Sequence, residues 1–284
     1  MKLAGWGSGF LGMIIFSGSL PATRVAVGGF EPLFLTSARA VIAALLAAGL
    51  LLVLKQPIPQ RKDIVSLTIV AIGVVIGFPL LTALALQSVT SAHSTVFIGL
   101  LPFATALFAV VRGGERPKAI FWLFSVAGSA LVAGFAWTQG ANGSVEGNLY
   151  MVAAIIVCGL GYAEGAALSR RLGGWQVISW ALLLASPFMV ILALANLPTT
   201  FNGINTPVWL GLAYVSVFSM LIGFVFWYRG LAIGGIAGVS QLQLLQPFFA
   251  LALAGFILGE TVALSMIGVT ILVVSCVVGA KRFT

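Results

Sequence analysis

Residues 101–116, LPFATALFAVVRGGER, and residues 246–261, QPFFALALAGFILGET, are two versions of one pattern. Pro102 and Glu115 lie 13 apart, as do Pro247 and Glu260. The same offset of 145 brings Phe103 onto Phe248, Ala109 onto Ala254, Gly114 onto Gly259 and Gly134 onto Gly279. An offset of 141 places Ile14, Ile15, Gly18, Ala22 and Ala26 on Ile155, Ile156, Gly159, Ala163 and Ala167. Apolar stretches share residues by chance, so the Pro and Gly-Glu coincidences carry the weight. Self-similarity at a fixed offset means a chain built from two copies of one unit.

Both copies lie in a chain of 284 residues that is 61% hydrophobic and 7% charged, with a mean hydropathy of +1.16. A soluble domain has about 25% charged residues, so this chain cannot cover a surface in water, and lipid is its solvent. A helix needs about 20 apolar residues to cross a hydrocarbon core of about 30 Å. Ten such runs are present: Trp6 to Gly28, Glu31 to Leu54, Ile64 to Gln87, Ser91 to Val111, Ala119 to Trp137, Gly147 to Leu172, Trp175 to Ala195, Pro207 to Arg229, Ile236 to Ile257 and Val262 to Ala280. They are continuous, whereas barrel strands are shorter and alternate apolar with polar residues. The expected fold is an all-α integral membrane protein of ten transmembrane helices. It divides into a first five-helix repeat at 1–137, a linker at 138–146 (TQGANGSVE) and a second five-helix repeat at 147–284. Five is odd, so the second repeat enters the membrane from the opposite side and the halves are inverted.

The chain carries 14 Lys and Arg against 6 Asp and Glu, a formal charge of +8. In a soluble protein that balance raises the question of nucleic acid. Here it reads as topology, because cytoplasmic links collect Lys and Arg. With the N-terminus inside, the cytoplasmic links hold Lys2, Lys55, Arg61, Lys62, Arg112, Arg116, Lys118, Arg170, Arg171, Arg229, Lys281 and Arg282, while the opposite links hold none. Arg24 and Arg39 remain inside helices. Both termini are therefore expected in the cytoplasm. The apolar run after Lys2 is longer than the core of a signal peptide and matches a later segment, so it is expected to belong to the mature fold.

Two five-helix halves, each with a proline in its fourth helix and a Gly-Glu turn 13 residues later, resemble the drug/metabolite transporter superfamily, EamA family. Arg39 also stands where that family commonly has an arginine. Within the family the chain is most similar to YddG-type exporters of aromatic amino acids. The resemblance implies a secondary transporter of the bacterial inner membrane, exporting Phe, Tyr and Trp and also toxic cations, with no cofactor. It further implies alternating access to a midplane cavity lined by helices 1, 3, 4, 6, 8 and 9, with helices 5 and 10 peripheral.

Within the spans the few polar residues are the informative ones, since polar side chains there face the bundle interior or a wet cavity. Ser240, Gln243 and Gln246 recur every three residues on one helix face, just before Pro247. Gln243 and Gln246 could hold the ammonium or carboxylate of an amino acid, or merely tie helices together. Their counterparts Thr95, Ile98 and Leu101 are mostly apolar, which predicts a cavity with one polar wall and one apolar wall. Phe16, Phe78, Tyr162, Phe224 and Trp227, with Thr82, fall on the helices expected to line it, and the rings could stack on an aromatic or cationic substrate. His93, the sole histidine, is either a substrate contact, a pH sensor or an ordinary hydrogen-bonded residue. Pro21, Pro79, Pro102, Pro187 and Pro247 are candidate hinges, since each removes a backbone hydrogen bond. Arg39 lies about 12 Å along its helix and either attracts a substrate carboxylate or is structural. Glu164 is a candidate for proton coupling, against a local ion pair with Arg170 or Arg171.

Catalysis needs positioned acids, bases, nucleophiles or metals, and no metal-ligand cluster, P-loop or nucleophile elbow is present. An enzyme is not expected. Cys158 and Cys276 are 118 residues apart and suggest neither a disulfide framework nor a metal site. The expected partners are a small-molecule substrate, such as an aromatic or hydrophobic amino acid or a drug, and membrane lipid.

Overall fold

The computed structural model describes residues 2–85, 88, 97–138, 144–258 and 264–284, and all regular structure among them is helical. The first span comprises α1 (Lys2–Ser17) and α2 (Ser19–Ala26), and the second is α3 (Pro32–Val53). The third runs from α4 (Arg61–Val70) through a π-helical stretch, Ala71–Gly77, into α5 (Phe78–Ala85). Then come α6 (Leu101–Val111) and α7 (Ala119–Thr138). The second half begins with α8 (Val145–Leu172) and α9 (Gly174–Ala195). It continues with α10 (Thr206–Tyr214), which passes through a π-helical stretch, Val215–Ile222, into α11 (Gly223–Gly234). Then come α12 (Ile236–Ser240), a 3-10 segment Gln241–Leu245 and α13 (Gln246–Leu258), and α14 (Leu264–Arg282) is the last helix described.

Local chemistry sets these limits. The Ser144 hydroxyl and the Asn205 amide oxygen accept backbone N–H groups at the starts of α8 and α10, satisfying donors that a helix cannot pair itself. Pro32, Pro102 and Pro207 stand in first turns, where a missing N–H is harmless. Gly173 and Gly235, at φ 94° and 97°, stop α8 and α11 in a backbone region that glycine enters freely.

Among the described residues, six helices are long and apolar enough to cross a membrane: Leu3–Thr23, Pro32–Val53, Arg61–Ala85, Val145–Leu172, Gly174–Ala195 and Thr206–Gly234. Leu101–Val111 and Ala119–Phe135 are shorter apolar helices.

The irregular parts of the helices are paired between the halves. The two π-helical stretches, Ala71–Gly77 and Val215–Ile222, match to within one residue at the offset that pairs the two prolines. Among the described residues, the turn at Gly99–Leu100 precedes α6, which starts at Leu101, and the 3-10 segment separates α12 from α13, which starts at Gln246. Pro102 and Pro247 therefore open helices and do not kink continuous ones. Pro79 likewise follows the first π stretch, Pro21 follows the break between α1 and α2, and Pro187 alone of the five lies in a helix interior, beyond the first turn. Interrupted helices at matched positions are where transporters build their sites, and π turns recur at functional sites.

The halves meet most closely where α1 crosses α11. Side chains on Gly5, Gly12 or Gly230 would strike the facing helix, and a Cβ on Gly230 would lie 2.5 Å from the Gly9 backbone nitrogen. Small residues are what let two helices approach so closely in lipid. By contrast α7 and α14 pair with each other at the side, through the stacked rings of Phe124 and Phe283 and the contact of Gly279 with Phe124.

Candidate substrate cavity

A cavity of about 530 Å³ lies where the paired irregularities converge. Val74 from the first π stretch and Ser219 and Met220 from the second face it. Ile98 and Leu101 border it on one side and Gln243 and Gln246 on the other. The cavity extends to Val27 and Pro32, both exposed at the end of the bundle that holds the link between α2 and α3.

The 3-10 segment explains the glutamine pair. Three residues per turn eclipse positions i and i+3, so Gln243 within the segment and Gln246 directly after it come to the same face. The segment is tethered to the other half, since the Ser240 hydroxyl and the Gln241 amide each donate to the Pro102 carbonyl at 3.4 Å, and Ser240 also donates to Ala237 at 2.9 Å. The Gln243 amide donates to the Tyr162 hydroxyl at 3.3 Å, while its own oxygen is buried without a partner. Tyr162 and Phe16 pack edge-on to Phe224, with centroids 6.0 and 5.1 Å apart. Trp227 stands behind them, fully buried against Phe16 and Tyr162.

Of the residues singled out by sequence, Phe16, Phe78, Thr82, Ile98, Leu101, Tyr162, Phe224, Gln243, Gln246, Pro79 and Arg39 line the cavity. Trp227 and Ser240 do not: the first backs the ring cluster and the second fastens α12 to the start of α6. Pro21, Pro102, Pro187 and Pro247 are also absent from the lining, and His93 lies outside the described residues. The wall contributed by α3, including Leu35 and Thr36, has no counterpart among the helices expected to line the cavity. Ser19 and Thr23 also face it, and Ser19 donates to Ser219 at 2.8 Å, joining the two halves across the cavity. The polar pair at i and i+4 in the first span was the sequence signal for that wall.

The described carboxylates within hydrogen-bond reach of arginines lie at the basic end of the bundle. The Arg112 guanidinium donates to Glu164 at 2.7 Å and the Ser66 hydroxyl donates to it at 2.5 Å. That hydrogen bond raises the pKa of Arg112. Arg170 donates to Glu115 at 2.9 Å, and Arg171 donates to Asp63. Glu164 is thus ion-paired, with Arg112 as its partner, while Arg170 and Arg171 serve other carboxylates. Glu164 is absent from the cavity lining. A double-mutant cycle of Glu164→Gln and Arg112→Gln is expected to give a coupling of about 1 kcal/mol in thermal or denaturant unfolding, because Arg112 is half-exposed. Additive losses would mean that the pair is idle.

Comparison with known proteins agrees with this architecture. The sequence profile of the EamA-like transporter family matches residues 3–137 and 145–280. A protein of Bacillus subtilis (strain 168) named as the uncharacterized transporter YdeK is 64% identical over 279 residues, covering 98% of this chain and 97% of that one. The S-adenosylmethionine/S-adenosylhomocysteine transporter of Chlamydia trachomatis serovar D is 27% identical over 280 residues, covering 89% of this chain and 81% of its own. One solved crystal structure of a protein superposes over the whole of both chains with a TM-score of 0.85 at 17% identity, which speaks for the fold alone. With both halves matched by the family profile, the chain belongs to the EamA-like transporter family, as a multi-pass membrane protein that carries small molecules.

Proposed function

We propose that this protein is a secondary transporter of the inner membrane that exports small amphipathic metabolites, aromatic amino acids above all, by alternating access to the cavity between its halves. The observation that carries this reading is the composition of that cavity: the rings of Phe16, Phe78, Tyr162 and Phe224 line the same space of about 530 Å³ as Gln243, Gln246 and Arg39, which suits a substrate with a charged end and an apolar end. In this reading the chain has ten transmembrane helices, repeats at 1–137 and 147–284 joined by 138–146, and both termini in the cytoplasm. In this reading the end of the bundle that the cavity reaches, away from the ion pairs, is the outer one, and the conformation is outward-open. The paired breaks near Pro102 and Pro247 and the π stretches are where the helices bend to exchange states.

A second reading follows from the relative that is named as a carrier of S-adenosylmethionine: that molecule also joins an aromatic ring system to an amino acid end. Cationic drugs are a third class of cargo for the same fold. Purified protein in liposomes, preloaded with unlabelled compound, is expected to exchange labelled Phe, Tyr or Trp with saturation. Exchange of S-adenosylmethionine alone would select the second reading, competition by cationic drugs alone would select the third, and absence of flux across the panel would overturn the proposal. Gln243→Ala or Gln246→Ala is expected to raise the KM for exchange roughly tenfold, the effect of about one hydrogen bond to a charged group, with the folded yield kept. Unchanged kinetics in both would leave the glutamines a purely structural role.

A further inference from the structure

Arg39 is, among the described residues, the one Lys or Arg that lines the cavity. Its Nε is buried and makes no hydrogen bond, and its side chain is only partly covered. Asp63, Glu115 and Glu164 are each held by another arginine at the basic end, and the described cavity lining contains no carboxylate. Even partly withdrawn from water, a charge left without a counter-ion is destabilising. Two more buried polar atoms without partners face the same cavity, the Thr82 hydroxyl and the Gln243 amide oxygen. A fixed cation, a hydroxyl and an acceptor oxygen are thus gathered in one otherwise largely apolar space.

Charge balance narrows what fits. One guanidinium and one carboxylate cancel, whereas a phosphate dianion would leave an unmatched negative charge. A cation lacking a carboxylate would place two positive charges in a space of low dielectric. A guanidinium also matches a carboxylate geometrically, through paired N–H donors.

We propose that Arg39, with Thr82 and the Gln243 oxygen, is the head-group subsite of the cavity, and that Arg39 takes the carboxylate of an amphipathic substrate. The carried class is then carboxylates with an apolar tail, zwitterions included, and cations without a carboxylate are rejected. This rests on the transporter reading above and adds the feature by which the site selects.

Three probes share one ring and differ only at the head: phenylalanine, 3-phenylpropionate and phenethylamine. In liposomes, the first two are expected to compete for labelled phenylalanine exchange and the amine is not. Arg39→Gln is expected to raise the KM for phenylalanine about 100-fold, the scale of losing one partner of a buried charge pair, and Arg39→Lys to recover part of that loss. Equal competition by the amine, or an unchanged KM in Arg39→Gln, would overturn the proposal while leaving transport intact. Calorimetric binding of 3-phenylpropionate to the detergent-solubilised protein separates the two readings. Binding that is lost in Arg39→Gln without flux in the wild type upholds the subsite and ends the transport reading. Absence of binding by either carboxylate ends the subsite. Should Arg39→Gln fail to fold, Thr82→Val and Arg39→Lys replace it, each expected to weaken competition by phenylalanine and 3-phenylpropionate, and unchanged competition by both carboxylates in both variants would overturn the proposal.

Discussion

Gly230→Leu is expected to abolish the recovery of folded protein, whereas Gly7→Leu leaves it unchanged. A Cβ on Gly230 would lie 2.5 Å from the Gly9 nitrogen, 2.6 Å from the Gly9 Cα and 3.0 Å from the Gly5 carbonyl oxygen. All three are backbone atoms of α1, so no side chain can rotate away. The two helices would have to move apart along their length, and with them the buried Trp227, Phe16 and Met13 that pack beside the crossing. In an interior packed at the density of an organic crystal such a displacement costs more than about 4 kcal/mol, the upper tail of single substitutions. Gly7 is on the same helix with nothing within 4 Å of its would-be Cβ, so it controls for the general effect of placing leucine in α1. Size-exclusion profiles of detergent extracts provide the measurement. A monodisperse Gly230→Leu protein at wild-type yield would show that the crossing is looser than the close approach implies.

The reach of the sequence is uneven, and the reasons are physical. Pro102 and Pro247 were legible as paired because proline has few tolerated places in a helix, and they do mark paired helix starts. The π stretches were not legible. In spans that are apolar all round, inserting one residue in a turn leaves the hydrophobic pattern unchanged, so nothing in Ala71–Gly77 or Val215–Ile222 announces it. Gln243, Gln246 and Arg39 stood out as polar side chains in apolar runs, and they line the cavity. Ser240 stood out equally, yet it fastens helices, because a short hydroxyl side chain satisfies itself on the nearest carbonyls. Apart from Arg39, the α3 wall was missed, since its apolar members look like any lipid-facing residue. For Glu164, Arg170 and Arg171 on the same helix were the visible partners. Six or seven residues are about 9–10 Å of helical rise, too far for contact, and the true partner, Arg112, comes from the end of α6 and is close only in the fold.

Glu115→Ala is expected to lower stability by roughly 3 kcal/mol and to open the basic end of the bundle. Glu115 sits in the Gly-Glu turn after α6, which belongs to the first half, but everything it holds belongs to the second. Its two oxygens accept the backbone N–H groups of Ile236 and Ala237 at 2.7 and 2.8 Å, and Arg170 donates to it at 2.9 Å. Ile236 and Ala237 are fully buried, so removing the carboxylate leaves two helix-start donors with nothing to bond, at about 1–3 kcal/mol each, and Arg170 without its ion pair. Glu115→Gln keeps one acceptor oxygen and is expected to lose about half as much. If this contact also holds one half of the molecule against the other, its loss changes access as well as stability. With Cys158→Ala and Cys276→Ala as background, a cysteine introduced at Ser219, in the cavity wall, is expected to react faster with a membrane-impermeant thiol reagent applied from the basic side in Glu115→Ala than in the parent protein. A fall in melting temperature with no change in labelling would make the contact a helix cap alone. Faster labelling would make it the latch that keeps the basic end shut while the other end is open.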